Sequence, residues 1–321
     1  MVVLQIRRKR LKSTYLIFSS FGGCAVSQSF RFEQVFASDV HDALWDWAQT
    51  SYGASDDWCI LYLNGLPLGR LNPLWRERLG QDWTGRQSTL SDGLNLETDS
   101  WAQMGDSLQT LARQWRECGW LKGWRDEKFD ICDQSGKPLC ALERAAFRPF
   151  GLMSQAVHLN GLVETEDGLR FWIGRRSPHK AVDPNKLDNL TGGGISSGER
   201  PSEAVCREGE EEAGIPASLT PHIRPTAQIY SLRPVNRGVH NEILYIFDIV
   251  LPEGFQPANQ DGEVAGFELM DIPTLLDAML GGHMMHDAQL VTIEACRRYG
   301  LIDPKHPLSA WLDSIRCRPH F

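Results

Sequence analysis

The chain has 321 residues, with 33 lysines and arginines against 41 aspartates and glutamates, a formal charge of −8, and 42% hydrophobic and 23% charged side chains. That length suits two domains of ordinary size, and the composition excludes disordered and collagen-like chains. The acidic balance lacks the electrostatic footprint of a nucleic-acid binder, and no apolar run reaches the roughly 18 residues that span a bilayer. Arg7-Arg8-Lys9-Arg10 ahead of Tyr15–Phe18 loosely imitates a secretory signal. Ser19, Ser20, Gly22 and Gly23 interrupt its apolar part, so residues 1–29 are read as a disordered extension. Nine of the eleven tryptophans lie between residues 45 and 124, where large rings are the usual filling of a small core.

The first domain, residues 30–148, reads as a small α+β unit. Val40, Ala43, Leu44 and Trp47 give helical spacing over 38–49. Residues 58–63, Asn64-Gly65 and residues 66–71 read as strand, tight turn, strand. Residues 107–118 are helical in period, and a strand pair flanks Asp133–Gly136 over 128–132 and 138–143. Arg148-Pro149-Phe150-Gly151 breaks the pattern and marks the junction to a second domain, 149–321. There, strands are expected over 157–163, 169–174, 226–232 and 242–251, and helices over 272–280 and 287–299. The eight cysteines form no CxxC pair and read as reduced thiols in a cytoplasmic protein, with a targeting segment at the N-terminus as the alternative.

Residues 192–215 carry the chemistry. Pro201 suits a first helical turn and Gly214 a stop, so Pro201–Ala213 is one helix. Glu208, Glu211 and Glu212 fall at i, i+3 and i+4, putting three carboxylates on one face. Val205, Gly209 and Ala213 form a stripe of small residues suited to close packing on a sheet. Arg207 lies four residues from both Glu203 and Glu211 and suits pairing with either. Crowded carboxylates beside a glycine loop suit a hard divalent ion, Mg²⁺ or Mn²⁺.

Gly193, five residues, Glu199, seven residues, then Arg207-Glu208-Gly209-Glu210-Glu211-Glu212-Ala213-Gly214-Ile215 resembles the signature of the Nudix hydrolase superfamily. The departure is Gly209, in a slot that family fills with an aliphatic residue. The resemblance implies a Nudix α/β/α sandwich with a mixed sheet from about residue 149, preceded by the small α+β domain. It implies that Glu208, Glu211 and Glu212, with the Gly193 carbonyl, hold the metal, that Arg207 orients the glutamates and that Glu199 supports the loop. The reaction implied is attack of water on a phosphorus of a small-molecule diphosphate, with a general base drawn from the box or from a later loop. Glu263, in Asp261-Gly262-Glu263-Val264, is the candidate there.

Phe150-Gly151-Leu152, Val157-His158-Leu159-Asn160-Gly161, Trp172–Ser177 and Lys186–Asn189 are similar to a Nudix subgroup whose N-terminal domain is related to thiamine pyrophosphokinase-associated proteins. That likeness implies thiamine diphosphate or its oxidised analogues as substrate, cut to the monophosphate. Arg175, Arg176, Lys180 and Lys186 would grip phosphate, and His158 and Asn160 would face the ring of the substrate. A nucleoside diphosphate derivative is the alternative substrate. Two other activities compete: an allylic diphosphate isomerase, which needs a pocket cysteine where Cys206 lies opposite Glu208, and a non-catalytic nucleotide sensor. Neither nucleic acid nor membrane is an expected partner, and the aromatic domain suits either sensing a flat heterocycle or packing in a homodimer.

Overall fold

The computed structural model describes residues 30–32 and 34–316, so the expected extension at 1–29 lies outside the described residues. In chain order the elements are α1 (Ser38–Ser51), β1 (Cys59–Leu63), β2 (Leu66–Leu71), α2 (Pro73–Asp82), β3 (Arg86–Thr89), β4 (Gly93–Glu97) and α3 (Trp101–Glu117). Next come β5 (Lys128–Cys132), β6 (Pro138–Glu143), α4 (Phe147–Phe150), β7 (Ser154–Thr165), β8 (Gly168–Arg176), β9 (Leu187–Asp188), β10 (Thr191–Gly194) and α5 (Pro201–Ala213). The last are β11 (Ala227–Val235), β12 (Gly238–Val250), β13 (Val264–Asp271), α6 (Ile272–Leu280), α7 (His286–Arg298) and α8 (Pro307–Ser314).

Asn64 and Gly65 both take positive φ, 48° and 78°, which is the backbone a tight hairpin between β1 and β2 demands. The hairpin extends into a four-stranded sheet of order β2-β1-β4-β3. Helices α2 and α3 close it with Leu79, Met104 and Leu108, and Trp115 stacks on Phe150 at 5.0 Å between ring centres. Helix α3 starts six residues before the expected residue 107, because Ser100 caps it by accepting from the Gln103 amide at 3.2 Å. The strands β5 and β6 run over the expected residues.

The second sheet has the order β11-β12-β7-β8-β13, with β10 added to β7 and β9 to β8. β7 runs parallel to β12 and antiparallel to β8, so the sheet is mixed. Alternate residues of β7 serve opposite layers, as a strand requires. Val157, Leu159 and Val163 pack with Val205 and Ala213 of α5. Ala156 and Leu162 pack with Leu275, Leu290 and Val291 of α6 and α7. The result is the helix–sheet–helix sandwich expected from the resemblance. Helix α1, though early in the chain, places Val40, Leu44 and Ala48 in this second core, and Trp45 meets Trp311 of α8 at 6.3 Å. No helix among the described residues is long and apolar enough to cross a membrane.

Candidate active site

Helix α5 covers the residues that its Pro start and Gly stop predict. Glu203 turns back to accept from the Arg200 amide at 2.9 Å, and Gly214 leaves the helix at φ 63°. Pairing of Arg207 with Glu203 therefore does not occur; Glu203 is engaged by Arg200. Arg207 instead reaches forward to the loop. Its Nε donates to Glu199 at 2.9 Å, its Nη1 to Glu208 at 2.7 Å and Glu211 at 3.2 Å, and its Nη2 to the Gly194 carbonyl at 3.3 Å. These acceptors, Glu199 foremost, hold the guanidinium firmly charged.

Glu208 and Glu212 are buried and Glu211 is exposed. Burial pushes the Glu208 carboxyl up from its ordinary range. It pushes Glu212 up to about 8, with the Glu208 and Asp188 charges adding to the effect. Glu212 accepts from the Gly192 amide at 3.1 Å and from Lys180 Nζ at 3.2 Å. Gly193 faces Glu208 so closely that a Cβ there would lie 2.0 Å from the carboxylate oxygen. Only glycine lets strand β10 and the helix carboxylates approach this near.

Lys180 is shared between Glu212 and Glu263, and Arg125 of the first unit donates to Glu263 at 3.1 Å. Burial raises the affinity of Glu263 for a proton, but these two cations outweigh it and hold the carboxyl below its ordinary range. Carboxylate oxygens of Glu212, Asp261 and Glu263 lie within 4.8 Å of one another. Asp261 is a ligand candidate that sequence reasoning passed over, although it shares the Asp-Gly-Glu turn with Glu263. These donors, with Glu208, are all hard oxygen, and burial makes Glu208 and Glu212 resist ionisation alone, so the residues fit a hard divalent cation.

Of the four basic residues expected on phosphate, the structure brings Arg176 and Lys180 to the cavity beside α5. Arg176 also donates to Asp188 at 2.6 Å. Arg175 pairs with Glu268 at 2.9 Å and Lys186 donates to the Gly282 carbonyl at 2.6 Å, both away from the cavity. His158 and Asn160 are buried and turned to the opposite face of β7. His158 bonds Asn189 at 2.9 Å, and Asn160 donates to Asp248 at 2.9 Å and accepts from Asn189 at 3.0 Å. The signal was available: both share strand parity with Ala156 and Leu162, whereas α5 packs on the odd positions.

The cavity, about 380 Å³, lies between the two units. Phe129 and Arg144 from the first unit line it opposite Gly193 and Glu208. Strand β5 also grips the loop before α5. The Ser197 amide donates to the Lys128 carbonyl at 2.8 Å, and Asp130 accepts from Ser197 Oγ at 2.6 Å and from the Gly198 amide at 2.9 Å. The Phe129 ring fills the space a Cβ on Gly194 would take, 2.3 Å away. No tryptophan lines this cavity. Trp75 and Trp115 are core residues, Trp120 is exposed with Arg78 stacked over it at 3.7 Å, and the six described cysteines are free thiols.

Residues 157–290 match the family model described as NUDIX domain, so this part of the chain is similar to that domain. Two plant relatives carry the same family name. Nudix hydrolase 24, chloroplastic, of Arabidopsis thaliana is 36% identical over 202 residues, which is 62% of this chain and 54% of that protein. Nudix hydrolase 20, chloroplastic, of the same organism is 32% identical over 227 residues, 70% of this chain and 59% of that protein. Both stretches are longer than the family match, so the likeness extends outside residues 157–290. The chain thus spans a little over half the length of these relatives. An uncharacterized protein of Saccharomyces cerevisiae, YJR142W, is 27% identical over 66% of this chain and 67% of its own length.

Proposed function

We propose that this protein hydrolyses a diphosphate linked to an organic moiety, with Mg²⁺ or Mn²⁺ bound at the α5 carboxylates. The observation that carries the proposal is the pair of buried acids, Glu208 and Glu212, packed against a glycine strand that no larger residue could replace. When bound, the metal supplies a deprotonated water and neutralises charge on the diphosphate. Arg207 then holds Glu208 and Glu211 in place through its own bonds to Glu199 and Gly194. Arg176 and Lys180 are the phosphate-facing cations of this reading, and Arg175, Lys186, His158 and Asn160 are left out of it by their positions.

Glu263 is engaged by Lys180 and Arg125 and held ionised, which makes it a weak proton acceptor near neutrality. The proposal therefore leaves proton removal to the box carboxylates and gives Glu263 the task of fixing Lys180. Asp261 joins Glu212 and Glu263 as a candidate ligand. The domain division of the sequence reading, 30–148 and 149–321, belongs to the proposal with one adjustment: α1 completes the core of the second unit.

Thiamine diphosphate or an oxidised analogue is the first substrate to test, supported by the subgroup resemblance alone. A nucleoside diphosphate derivative is the second, and the arginines on the cavity wall favour it over a substrate with a cationic thiazolium ring. The test is a panel of oxo- and oxythiamine diphosphate, thiamine diphosphate, ADP-ribose and NADH, assayed with Mg²⁺ or Mn²⁺ for released monophosphate. Metal-dependent turnover abolished by Glu212→Gln is the expected result, and turnover at the parental rate in that variant overturns the assignment. For location, the chloroplastic names of two relatives favour a targeting role for residues 1–29 over the cytoplasmic reading.

A further inference from the structure

The cavity has a second basic region, remote from the carboxylates, that the reaction as proposed does not use. Arg144 and Arg148 come from the segment joining the two units, and Arg237 from the turn between β11 and β12; all three line the same cavity as Glu208. Arg144 pairs with Glu127. Arg148 and Arg237 form no side-chain hydrogen bond and no ion pair among the described residues, although Glu242 and Asp287 exert some attraction on Arg148. Burial lowers both guanidinium pKa values, Arg237 to about 10; repulsion by Arg148 and Arg144 adds to it at Arg237, and repulsion by Arg233 and Arg144 at Arg148. The arrangement is built rather than incidental. Gly123 takes φ 79° and presents no side chain, and Arg237 Nη1 lies 3.3 Å from where its Cβ would be. Gly238, φ 135°, lets the Arg148 carbonyl come within 2.1 Å of its own Cβ position.

Sheet register sets the distance from the hydrolytic end. Gly193 is paired with Val157 on β7, whereas Glu242 is paired with Ser154, three residues away and toward the arginines. At about 3.3 Å per residue that is on the order of 10 Å before Arg237 is reached. One diphosphate held at Glu208 and Glu212 does not also fill the arginine end.

Resting on the proposed hydrolase reading, we infer that Arg148 and Arg237, assisted by Arg144, form a second anion subsite that takes a further phosphoryl group carried on the organic moiety of the substrate. Half-buried guanidinium groups without partners bind a doubly charged, multi-oxygen anion strongly, by forked hydrogen bonds. The substrate class is then a diphosphate ester whose far end is itself phosphorylated.

The test is calorimetric titration of the full chain with inorganic phosphate, and with acetate, in the absence of added divalent ions, with circular dichroism to confirm the fold of each variant. Saturable phosphate binding is expected, weakened at least tenfold by Arg237→Gln and by Arg148→Gln and changed less than twofold by Arg175→Gln. Arg237→Gln is the safer variant, since that side chain holds nothing in the fold together. Parental phosphate affinity in folded Arg237→Gln, absence of saturable binding, or equal affinity for acetate each overturns the inference. Because no metal is added, the readout is separate from hydrolysis: phosphate binding intact with no turnover of any diphosphate sinks the functional reading alone.

Discussion

Gly193 and Glu212 show how little latitude the centre has. In Gly193→Ala the new methyl must displace the Glu208 carboxylate, whose oxygen stands 2.0 Å from the Cβ position. Misplacing a reacting group by about 1 Å costs on the order of 10²-fold, so a drop of about that size in kcat/KM is expected, with far-UV dichroism unchanged. Glu212 gives a pH signature. Its folded pKa of about 8 lies above its ordinary value of 4.5, so the folded state holds a proton that the unfolded chain releases. The stabilisation this gives is complete below about 4.5 and is lost as pH rises to about 8. Without divalent ions, the Tm of Glu212→Gln minus that of the parent should therefore grow between pH 5 and 8. A difference independent of pH would remove the buried, proton-holding carboxyl from the account.

Helix α5 carries an imperfection that can be repaired. Gly209 stands on its sheet-facing stripe, and a Cβ there would meet Ile215 at 3.5 Å and Leu159 at 3.8 Å, which is ordinary van der Waals contact. Gly costs a helix interior about 1 kcal/mol relative to Ala, so Gly209→Ala is expected to stabilise the protein by about that amount with activity retained. Thermal unfolding checks it, and a lower Tm would mean that the stripe is tighter than its contacts indicate. Strand β5 has the opposite part, holding the loop ahead of α5 through Asp130. Removing its two acceptor bonds in Asp130→Ala should cost about 1 kcal/mol and lower kcat more than it raises KM. Loss of stability without that kinetic change would confine β5 to a structural role.

The two units are joined more tightly than their order in the chain suggests. Helix α1 sits in the core of the second unit with α8, β5 clasps the loop of the glycines, and Arg125 reaches Glu263 across the cavity. Thermal unfolding of the full chain should accordingly follow one cooperative transition. A fragment beginning at residue 149 lacks Phe36, Val40 and Leu44, which the second core buries, and is expected to be insoluble or to melt well below the full chain. Two separate calorimetric transitions, or a stable fragment, would show that the units are independent.

What could be read along the chain is what local chemistry fixes over short spans. Pro201, the glutamate spacing and Gly214 define α5 and the face its acids share, Asn64-Gly65 defines a hairpin, and alternation defines β7 and β8, because each signal lies within a few residues of what it governs. Less regular spans escaped: β3, β4, α2 and α8 show little periodicity, and β13 lies just behind an Asp-Gly-Glu turn that drew attention to itself. The partners of each side chain belong to a different class of fact. That Arg207 binds Glu199 rather than Glu203, that His158 and Asn160 face α7, that Arg175 and Lys186 point away while Arg144, Arg148 and Arg237 converge, all follow from how strands pair and which layer covers each face. Strand parity hints at the facing of His158 and Asn160, but the partners of Arg175 and Lys186 lie 93 and 96 positions away, beyond the reach of any local spacing, and only the packed chain brings them together.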